Sequence, residues 1–445
     1  MTTSLFNNLD PVLRKGARHI VKILRSQGHK SYIAGGAVRD LLLDRPIGDL
    51  DLATSANPNT VEKLFPVTIP VGKQFGVIIV VENSVNFEVT TFRKEGNYSD
   101  GRRPDGVSFV EAHTDVKRRD FTVNGLFLDP FSGEILDYCN GQRDVRERII
   151  RTIGNPSRRF REDKLRLMRA VRLAGQLNFQ IEKETWTVLQ KLAPEIKQVS
   201  RERIRDELLK ILTGGNVTRG LNLLRKSGLL NVILPDVAAL EGVRQPPEFH
   251  PEGDVWTHTC LMFSLAENPS ETLALGILLH DVGKPPTYSV RDRIRFDRHA
   301  EIGAEMTSQI CRDLRLSNRQ SQTIVELVRQ HLRFIHVQQM RKAKLKRFLR
   351  QEDFSEHLEL HRLDCLASHG NLSAFEFCLQ QLEELSEEEV QTQPLLNGHD
   401  LIDLGLKPGP IFSDLLPQVE DRQLEGLIQS HQEALDWVRK TLSNN

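Results

Sequence analysis

Two short motifs stand close together near the start of this chain of 445 residues. The sequence GGAVRD occupies residues 35–40, and two aspartates, Asp49 and Asp51, follow with one residue between them. Positions i and i+2 of a strand share one face, so two carboxylates there can share divalent metal ions. A Gly35-Gly36 turn lets backbone N–H groups approach a phosphate. Together with Arg39, this layout favours a site that holds a nucleoside triphosphate on Mg²⁺.

The overall charge and the cysteines limit the class of protein. Acidic and basic residues balance at 60 each, which excludes a uniformly basic nucleic-acid coat but not a local basic patch. Residues 143–172 form such a patch, with eleven Lys or Arg against four Asp or Glu. Five cysteines without a C-x-x-C pattern favour reduced thiols. No signal pattern or membrane-length apolar run is evident, so we expect a cytoplasmic protein without membrane contact.

Periodicity predicts an α+β protein, with an N-terminal mixed-sheet head followed by an all-helical neck, body and tail. We expect strands at 31–34, 49–53, 76–82, 85–92 and about 123–128, and no strand beyond about 155. The Gly- and Arg-rich segment 94–107 is predicted to be a mobile loop. The predicted parts are a head (1–154), a neck that binds nucleotide and RNA (155–240), a body (241–370) and a helical tail (371–445).

Further polar side chains of the head fit a bound ribonucleotide. Two arginines, Arg118 and Arg119, can clamp phosphate oxygens. Asp120 and Asn124, which follow directly, can hydrogen-bond ribose hydroxyls. Glu88 is a candidate for a third metal-binding carboxylate, although a glutamate on an exposed strand face is common.

The neck carries an acidic and a basic side chain suited to reading a base. Asp163 and Arg166 are one helical turn apart, so their side chains are expected to meet. A carboxylate acceptor beside a guanidinium donor can bond an exocyclic amino group and the neighbouring ring nitrogen. Cytosine and adenine offer that pattern, whereas uracil and guanine present a carbonyl there. An ordinary salt bridge on an amphipathic helix is the simpler alternative for this pair taken alone.

These motifs, with NYSDGRRPD, RRDFTVN and EDKLRLMRAVRLA, resemble in order and spacing those of class II nucleotidyltransferases, the tRNA CCA-adding and poly(A) polymerase family. The resemblance covers about residues 30–235, and SRERIRDELLKIL at 200–212 fits the family's neck. It implies Mg²⁺ on Asp49 and Asp51, the acceptor arm of tRNA as partner, and transfer of CMP or AMP to its 3′-hydroxyl. The residues implied to contact incoming CTP or ATP are Gly36, Arg39, Arg119, Asp163, Arg166, Arg169 and Arg172.

Four activities within this family remain open. The loop at 94–107 has the length that CCA addition needs and that CC-adding members tend to lack, but an A-adding enzyme keeps it too. Residues 71–77 only partly match the stretch typical of a poly(A) polymerase. CCA addition is therefore the first hypothesis, and A addition is the second. The sequence leaves monomer and homodimer equally open.

The second half contains a separate set of histidines and aspartates. His280 and Asp281 follow an apolar helix, and imidazole and carboxylate ligands drawn from several helices suit a divalent or transition metal. This arrangement resembles an HD-type metal-dependent phosphohydrolase domain. The ligands implied are His258, His280, Asp281 and Asp364, with His299 and His331 able to hold a second ion or a phosphate. A domain kept only as an RNA-binding scaffold is the alternative, and a wholly non-catalytic RNA-binding protein is the third hypothesis for the chain.

Overall fold

The computed structural model describes residues 6, 9–96, 106–384 and 394–443. Contacts divide the chain into two compact units, residues 1–238 with 313–315, and residues 239–312 with 316–445. Most of the predicted loop at 94–107 lies outside the described residues. The residues at the two ends of this loop are described. They pair as short antiparallel strands, with Arg93 opposite Phe109 and Glu95 opposite Val107.

The first unit is built on a mixed sheet. Its strands are β1 (Ser31–Ala34), β2 (Leu52–Thr54), β3 (Thr68–Gly72), β4 (Val77–Glu82), β5 (Val85–Thr91), β6 (Arg93–Glu95), β7 (Val107–Phe109), β8 (Leu126–Leu128), β9 (Ile135–Asp137), β10 (Ile149–Ile150) and β11 (Gln180–Ile181). Seven of them form one sheet in the order β3-β4-β5-β2-β1-β8-β9. Only β2 and β5 run parallel in it, with Leu52 opposite Val89. The predicted mixed sheet and α+β class are confirmed.

Successive side chains of β5 point to opposite faces of the sheet, and this shows which face carries the polar cavity. Phe87 points to the face covered by the first helix and is fully buried. A Cβ on Gly16 of that helix would lie 2.6 Å from the Phe87 ring, so glycine permits this close packing. Glu88 points the opposite way and is exposed. The polar cavity therefore opens on the face that the first helix leaves free.

The helices of the first unit cover the sheet and continue into the neck. They are α1 (Pro11–Ser26), α2 (Gly36–Leu42), α3 (Pro58–Leu64), α4 (Ala112–Asp115), α5 (Gly141–Glu147), α6 (Pro156–Glu162), α7 (Arg166–Gln176), α8 (Lys183–Leu192), α9 (Arg201–Leu212), α10 (Val217–Lys226), α11 (Leu229–Ile233) and α12 (Pro235–Ala238). The apolar stripe of α7, with Leu167, Ala170, Val171 and Ala174, is fully buried. Strands β10 and β11 pair in parallel, so residues 149–150 are joined to residues 180–181.

The second unit consists mainly of helices. They are α13 (Val255–Leu265), α14 (Glu271–Leu279), α15 (Lys284–Thr287), α16 (His299–Asp313), α17 (Asn318–Gln330), α18 (Lys342–Leu349), α19 (Phe354–Ala367), α20 (Ser373–Glu384), α21 (Gly398–Asp403), α22 (Pro410–Leu424) and α23 (His431–Ser443). The last three pack around a separate apolar cluster that includes Leu401, Val419 and Val438. No helix among the described residues combines the length and apolar character that crossing a membrane requires.

The prediction of no strand beyond about residue 155 is wrong at two places. Besides β11, the second unit contains a hairpin of β12 (Tyr288–Val290) and β13 (Ile294–Phe296). These strands are two or three residues long. Such segments are too short to show the alternation by which a strand is recognised in sequence.

Two buried histidines on α19 make the second unit sensitive to acid. His361 stacks on Phe334 with ring centroids 4.4 Å apart, and His357 is 3% exposed. Burial lowers the pKa of each ring to about 4. Below about pH 6.5 the unfolded chain takes up a proton on each ring that the folded protein does not. The free energy of unfolding therefore decreases as pH falls from 6.5 toward 4. The loss per histidine reaches about 2 kcal/mol by pH 5.

We expect His361→Phe to keep the stack on Phe334 while removing one of these titrations. Its melting temperature should therefore fall less between pH 7 and pH 5 than that of the unaltered protein. Thermal unfolding at both pH values measures this difference, and His336→Gln, at an exposed position in the same unit, is the control. An equal fall in the His361→Phe variant would contradict the assignment.

Candidate functional site

A cavity of about 850 Å³ lies on the open face of the sheet in the first unit. Asp51 and Glu88 line it. So does every residue predicted to bind nucleotide: Gly35, Gly36, Arg39, Arg119, Asp120, Asn124, Asp163, Arg166, Arg169 and Arg172. Arg93, Arg118 and Arg203, which the sequence analysis did not assign to the base or metal site, also line it. Asp49 is exposed and does not line the cavity itself.

The acidic pair lies in the turn before β2, not on a strand that begins at residue 49 as predicted. Within this turn, the carbonyl of Asp51 accepts a hydrogen bond from the Ala34 amide at 2.9 Å, which ties it to the end of β1. Gly35 follows with a φ of 74°, a backbone conformation that glycine adopts without strain. A Cβ at this position would lie 4.0 Å from the Asp51 carboxylate and 3.3 Å from Arg119. The glycine thus leaves this part of the cavity open.

The carboxylates around Asp51 repel one another. Desolvation by the surrounding protein, together with Glu88 and Asp49, raises the pKa of Asp51 to about 6, against the opposing effect of Arg119. A divalent cation relieves such repulsion, because it favours the ionised form of every carboxylate near it. Asp51 and Glu88 thus form an acidic side of the cavity, with the charge of Asp49 close enough to act on Asp51.

A buried aspartate that the sequence analysis missed holds two arginines of the cavity. Asp115 accepts from Arg118 at 2.7 Å and from Arg119 at 3.1 Å, and its side chain is 1% exposed. The guanidinium of Arg119 also lies 4.8 Å above the Phe127 ring. Both guanidiniums are thus fixed before any phosphate arrives. The local spacing of three and four residues was visible in the sequence.

Asp120 and Asn124 belong to one hydrogen-bonded chain. Asn124 donates to one oxygen of Asp120 at 3.1 Å, and Arg169 pairs with the other at 2.8 Å. Arg39 donates to the Asn124 amide oxygen at 2.6 Å. Although burial opposes ionisation, Arg169 holds the pKa of Asp120 well below its usual range. Asp120 is therefore a fixed anion that orients its neighbours.

The expected contact between the side chains of Asp163 and Arg166 is not observed, although the Arg166 amide donates to the Asp163 carbonyl at 3.1 Å. Asp163 ends α6 with an extended backbone, so the two residues do not share one helix. Arg166 pairs instead with Glu162 at 3.0 Å, and Asp163 accepts from Arg203 of α9 at 2.8 Å. Both side chains still line the same cavity. A carboxylate and a guanidinium are thus presented together, each held by a different partner.

Arg172 continues this pattern at the end of the cavity. It donates to Glu207 of α9 at 2.7 Å, and the Glu207 side chain is 4% exposed. Helix α9 therefore supplies a partner to Arg172 as well as to Asp163. The sequence analysis placed residues 200–212 in the neck but did not foresee this role.

The second unit gathers the other predicted metal-binding residues. His258 lies on α13, His280 and Asp281 follow α14, and Asp364 lies on α19. His258 Nε2 is 3.1 Å from Asp364 Oδ1, and the His258 and His280 rings are 5.4 Å apart. The remaining two histidines, His299 and His331, approach Asp281 to 3.6 and 4.0 Å. All six predicted residues therefore meet in one buried region.

Three of these histidines direct the same nitrogen toward Asp281. His280, His299 and His331 each lie with Nδ1 within 2.9 Å of a backbone carbonyl, three residues earlier in the chain. Such a bond makes Nδ1 the protonated nitrogen and leaves Nε2 as a free acceptor. Among the described residues, three groups of side chains each bring their ligand atoms within 4.8 Å of one another, and two of these groups consist of predicted residues. One is His258, His280 and Asp364, and the other is Asp281, His299 and His331.

The charges in this region suit a cation. Burial opposes the ionisation of Asp281, but His280 and Lys284 hold its pKa well below the usual range. Burial, reinforced by His280 and His299, lowers the pKa of His331 to about 3, so its ring stays neutral. His280 Nε2 lies 3.1 Å from Asp281 Oδ2, and the buried Asp281 Oδ1 forms no hydrogen bond to any described residue. Burial also lowers the pKa of His299, and neutral imidazoles such as those of His299 and His331, beside an ionised carboxylate, are ligands that suit a divalent metal.

Lys284 adds a positive charge that the sequence analysis did not assign. Its Nζ lies 2.7 Å from Asp281 Oδ2 and 2.6 Å from the side-chain oxygen of Gln245. The ammonium group therefore neutralises one side of the Asp281 carboxylate. The His299 and His331 nitrogens face its other oxygen.

Three family models match this chain. They are "Poly A polymerase head domain" over residues 31–151, "Probable RNA and SrmB- binding site of polymerase A" over residues 178–240, and "HD domain" over residues 255–366. The matched ranges include the glycines, Asp51 and Arg119 of the first cavity and all six predicted metal-binding residues of the second unit, while Asp163 and Arg166 lie between the first two ranges.

Whole relatives and solved structures agree with these matches. A CCA-adding enzyme of Staphylococcus aureus is 32% identical over 97% of this chain and 98% of its own length. One of Geobacillus stearothermophilus is 46% identical over 50% of this chain, and that match spans only 55% of the relative. Several first matches likewise span about half of the relative.

Among solved structures, a Bacillus stearothermophilus CCA-adding enzyme in complex with CTP matches 98% of this chain and 100% of its own. The TM-score is 0.70 and the identity 28%. A Thermotoga maritima CCA-adding enzyme complexed with tRNA covers 99% of this chain at 18% identity, with a TM-score of 0.58. At this identity, the similarity to the Thermotoga maritima structure supports the fold alone.

Proposed function

We propose that this chain, which belongs to the CCA-adding enzyme family, adds CMP and AMP from CTP and ATP to the 3′ end of tRNA. The 3′-hydroxyl oxygen would attack the α-phosphorus, the bond to the β-phosphate oxygen would break, and pyrophosphate would leave. One observation carries the proposal: a single cavity contains both the crowded carboxylates at Asp51 and the base-reading groups Asp163 and Arg166.

Asp49 and Asp51 would hold Mg²⁺, with Glu88 beside them. The ion would lower the pKa of the attacking hydroxyl and neutralise charge on the triphosphate. Arg118 and Arg119, which both pair with Asp115, would hold phosphate oxygens in a bidentate manner. Because these guanidiniums are already oriented, little side-chain freedom is lost when the triphosphate binds.

Asp163 and Arg166 would select the base without a template. The carboxylate would accept from the exocyclic amino group, and the guanidinium would donate to the adjacent ring nitrogen. Arg203, paired with Asp163, would hold that carboxylate in place. Uracil and guanine would place a carbonyl oxygen against Asp163, which repels it.

The basic segment 143–172 would follow the phosphate backbone of the tRNA acceptor arm. Contacts of this kind depend on shape and charge and carry little sequence information. Binding should therefore weaken steeply as salt concentration rises.

The nucleotide set is tested with three tRNAs that end at the discriminator base, at C, or at CC, each given labelled CTP or ATP separately. CCA addition predicts CMP incorporation on the first two and AMP incorporation on the third. AMP joining only the CC-ended tRNA, with no use of CTP, would contradict CCA addition and support A addition. The relatives named CCA-adding enzymes favour the first outcome.

A second candidate function is metal-dependent hydrolysis of phosphate esters in the second unit. Its support is the set of Nε2 atoms that face Asp281 and Asp364 in a buried region. His258, His280, Asp281 and Asp364 would hold a divalent or transition metal, with His299 and His331 at a second position. The metal would activate a water molecule for attack on phosphorus. Candidate substrates are 2′,3′-cyclic or terminal phosphates of RNA.

We expect Asp281→Asn to remove at least one bound metal ion and to abolish phosphate release on addition of Ni²⁺, Mn²⁺ or Mg²⁺. The amide is a far weaker ligand than the carboxylate and leaves the histidines without their counter-charge. Metal content by elemental analysis and phosphate release measure the two effects. Nucleotide incorporation should be unchanged in this variant, and Asp51→Ala should leave phosphate release intact. Equal hydrolysis by Asp281→Asn would contradict the second candidate function.

A further inference from the structure

His258 differs from the other three histidines of the proposed metal centre in what holds its ring. The Nδ1 atoms of His280, His299 and His331 lie within 2.9 Å of backbone carbonyls. His258 Nδ1 lies instead 2.7 Å from Oε1 of Glu252. The ring is fully buried, and the Glu252 side chain is 7% exposed. A carboxylate, in place of a neutral carbonyl, therefore holds this one ring.

We propose that Glu252 is a positioning residue that fixes the ring of His258 as a metal ligand. Glu252 accepts the proton on Nδ1 in a hydrogen bond, so Nε2, which lies 3.1 Å from Asp364 Oδ1, is the nitrogen that would bind the metal. A carboxylate acceptor also makes the imidazole a stronger donor to a metal than a carbonyl acceptor does. This inference rests on the metal centre proposed for the second unit.

Glu252 is itself held from a second side. The same Oε1 atom lies 2.9 Å from Nδ1 of His250, whose ring stands nearly perpendicular to that of His258, with centroids 5.1 Å apart. One carboxylate oxygen thus bridges two imidazoles. His250 is partly exposed and His258 is buried. The loop that precedes α13 is thereby tied to the metal centre through one acidic side chain.

A direct ligand role for Glu252 is the competing assignment, since His250, Glu252 and His258 also lie within ligand distance of one another. That arrangement would require a metal at Nδ1 of His258 while Nε2 faces Asp364. The ring would have to lose both protons to serve both sides. The positioning role needs only the neutral ring.

The experiment measures Co²⁺ binding to the full chain by titration, with the visible absorption of the bound ion as the signal. We expect Glu252→Ala to raise the Kd for Co²⁺ by about 10- to 100-fold and to shift the absorption band. The number of ions bound at saturation should stay unchanged. Glu252→Gln, whose amide oxygen can still accept from Nδ1, should recover part of the affinity. Glu248→Ala removes an exposed carboxylate of the same loop and should bind Co²⁺ normally.

Each other outcome has a distinct meaning. An unchanged Kd in Glu252→Ala would overturn the positioning role. Loss of an ion at saturating Co²⁺ would overturn it as well, because Glu252 would then be a ligand. No Co²⁺ uptake by the unaltered protein would overturn the metal centre and the inference together. Nucleotide incorporation by the first unit, measured on the same samples, shows whether each variant is folded there.

Discussion

Replacing Asp51 with alanine should reduce nucleotide incorporation by on the order of 10³-fold or more. The proposed Mg²⁺ ion supplies several kcal/mol of transition-state stabilisation, and about 1.4 kcal/mol corresponds to tenfold in rate. Asp51 lines the cavity, and the charges of Glu88 and Asp49 both raise its pKa. Affinity for tRNA should stay nearly unchanged, because the basic segment 143–172 is untouched. Incorporation of labelled nucleotide and tRNA binding measure the two effects separately.

Asp44→Asn is the matched control for this change. Asp44 is an exposed aspartate in the loop before Asp49, with a φ of 53° that asparagine also tolerates. It removes one negative charge nearby without touching the cavity. Full activity in Asp44→Asn together with undiminished activity in Asp51→Ala would show that the metal site is wrongly assigned. Parallel loss of tRNA binding in Asp51→Ala would indicate misfolding of the head.

Changing Asp163 should alter which base the protein accepts. Asp163→Asn removes the charged acceptor for the exocyclic amino group, and a hydrogen bond of that kind is worth about 1.5–3 kcal/mol. We expect kcat/KM for CTP and ATP to fall about 10- to 100-fold. Discrimination against UTP should weaken at the same time, because the amide no longer repels a carbonyl. Single-nucleotide incorporation with all four triphosphates measures both.

Arg203 provides an independent test of the same idea. Arg203→Ala leaves Asp163 in the chain without its partner, so both CTP and ATP use should fall together. Arg203→Lys should recover part of the loss, since Asp163 accepts from a single Nη2 atom. Arg201→Ala, at an exposed position on the same helix, should have no effect. Unchanged base selection in Asp163→Asn would contradict the reading of Asp163 as the acceptor.

The local motifs were readable in the sequence because each places several site residues within a few positions. Gly35, Gly36 and Arg39 of GGAVRD, together with Asp51 and the arginines at 118 and 119, line one cavity, whereas Asp49 lies outside its lining. Periodicity also located most helices and the main strands to within a few residues, since those segments are long enough to show a repeat.

The ion-pair and hydrogen-bond partners of these residues could not be predicted from the sequence. Arg203 lies 40 positions from Asp163, and one sequence holds no sign of which of its many arginines will face a given aspartate. The helix break at Asp163 was missed because the residues around it all favour helix. Glu252 was missed as well, since its role depends on the orientation of the His258 ring. Such facts arise from tertiary packing alone.

The parallel pair of β10 and β11 has a consequence for how this protein can be recombined with its relatives. Residues 149–150 belong to the segment that carries the acidic pair, and residues 180–181 to the segment that carries the base-reading groups. A chimera joined between residues 154 and 155 would oblige two strands of different ancestry to pair. The segments that carry the metal site and the base-reading groups should therefore be exchanged together. We expect a chimera joined near residue 240 to fold better than one joined between residues 154 and 155.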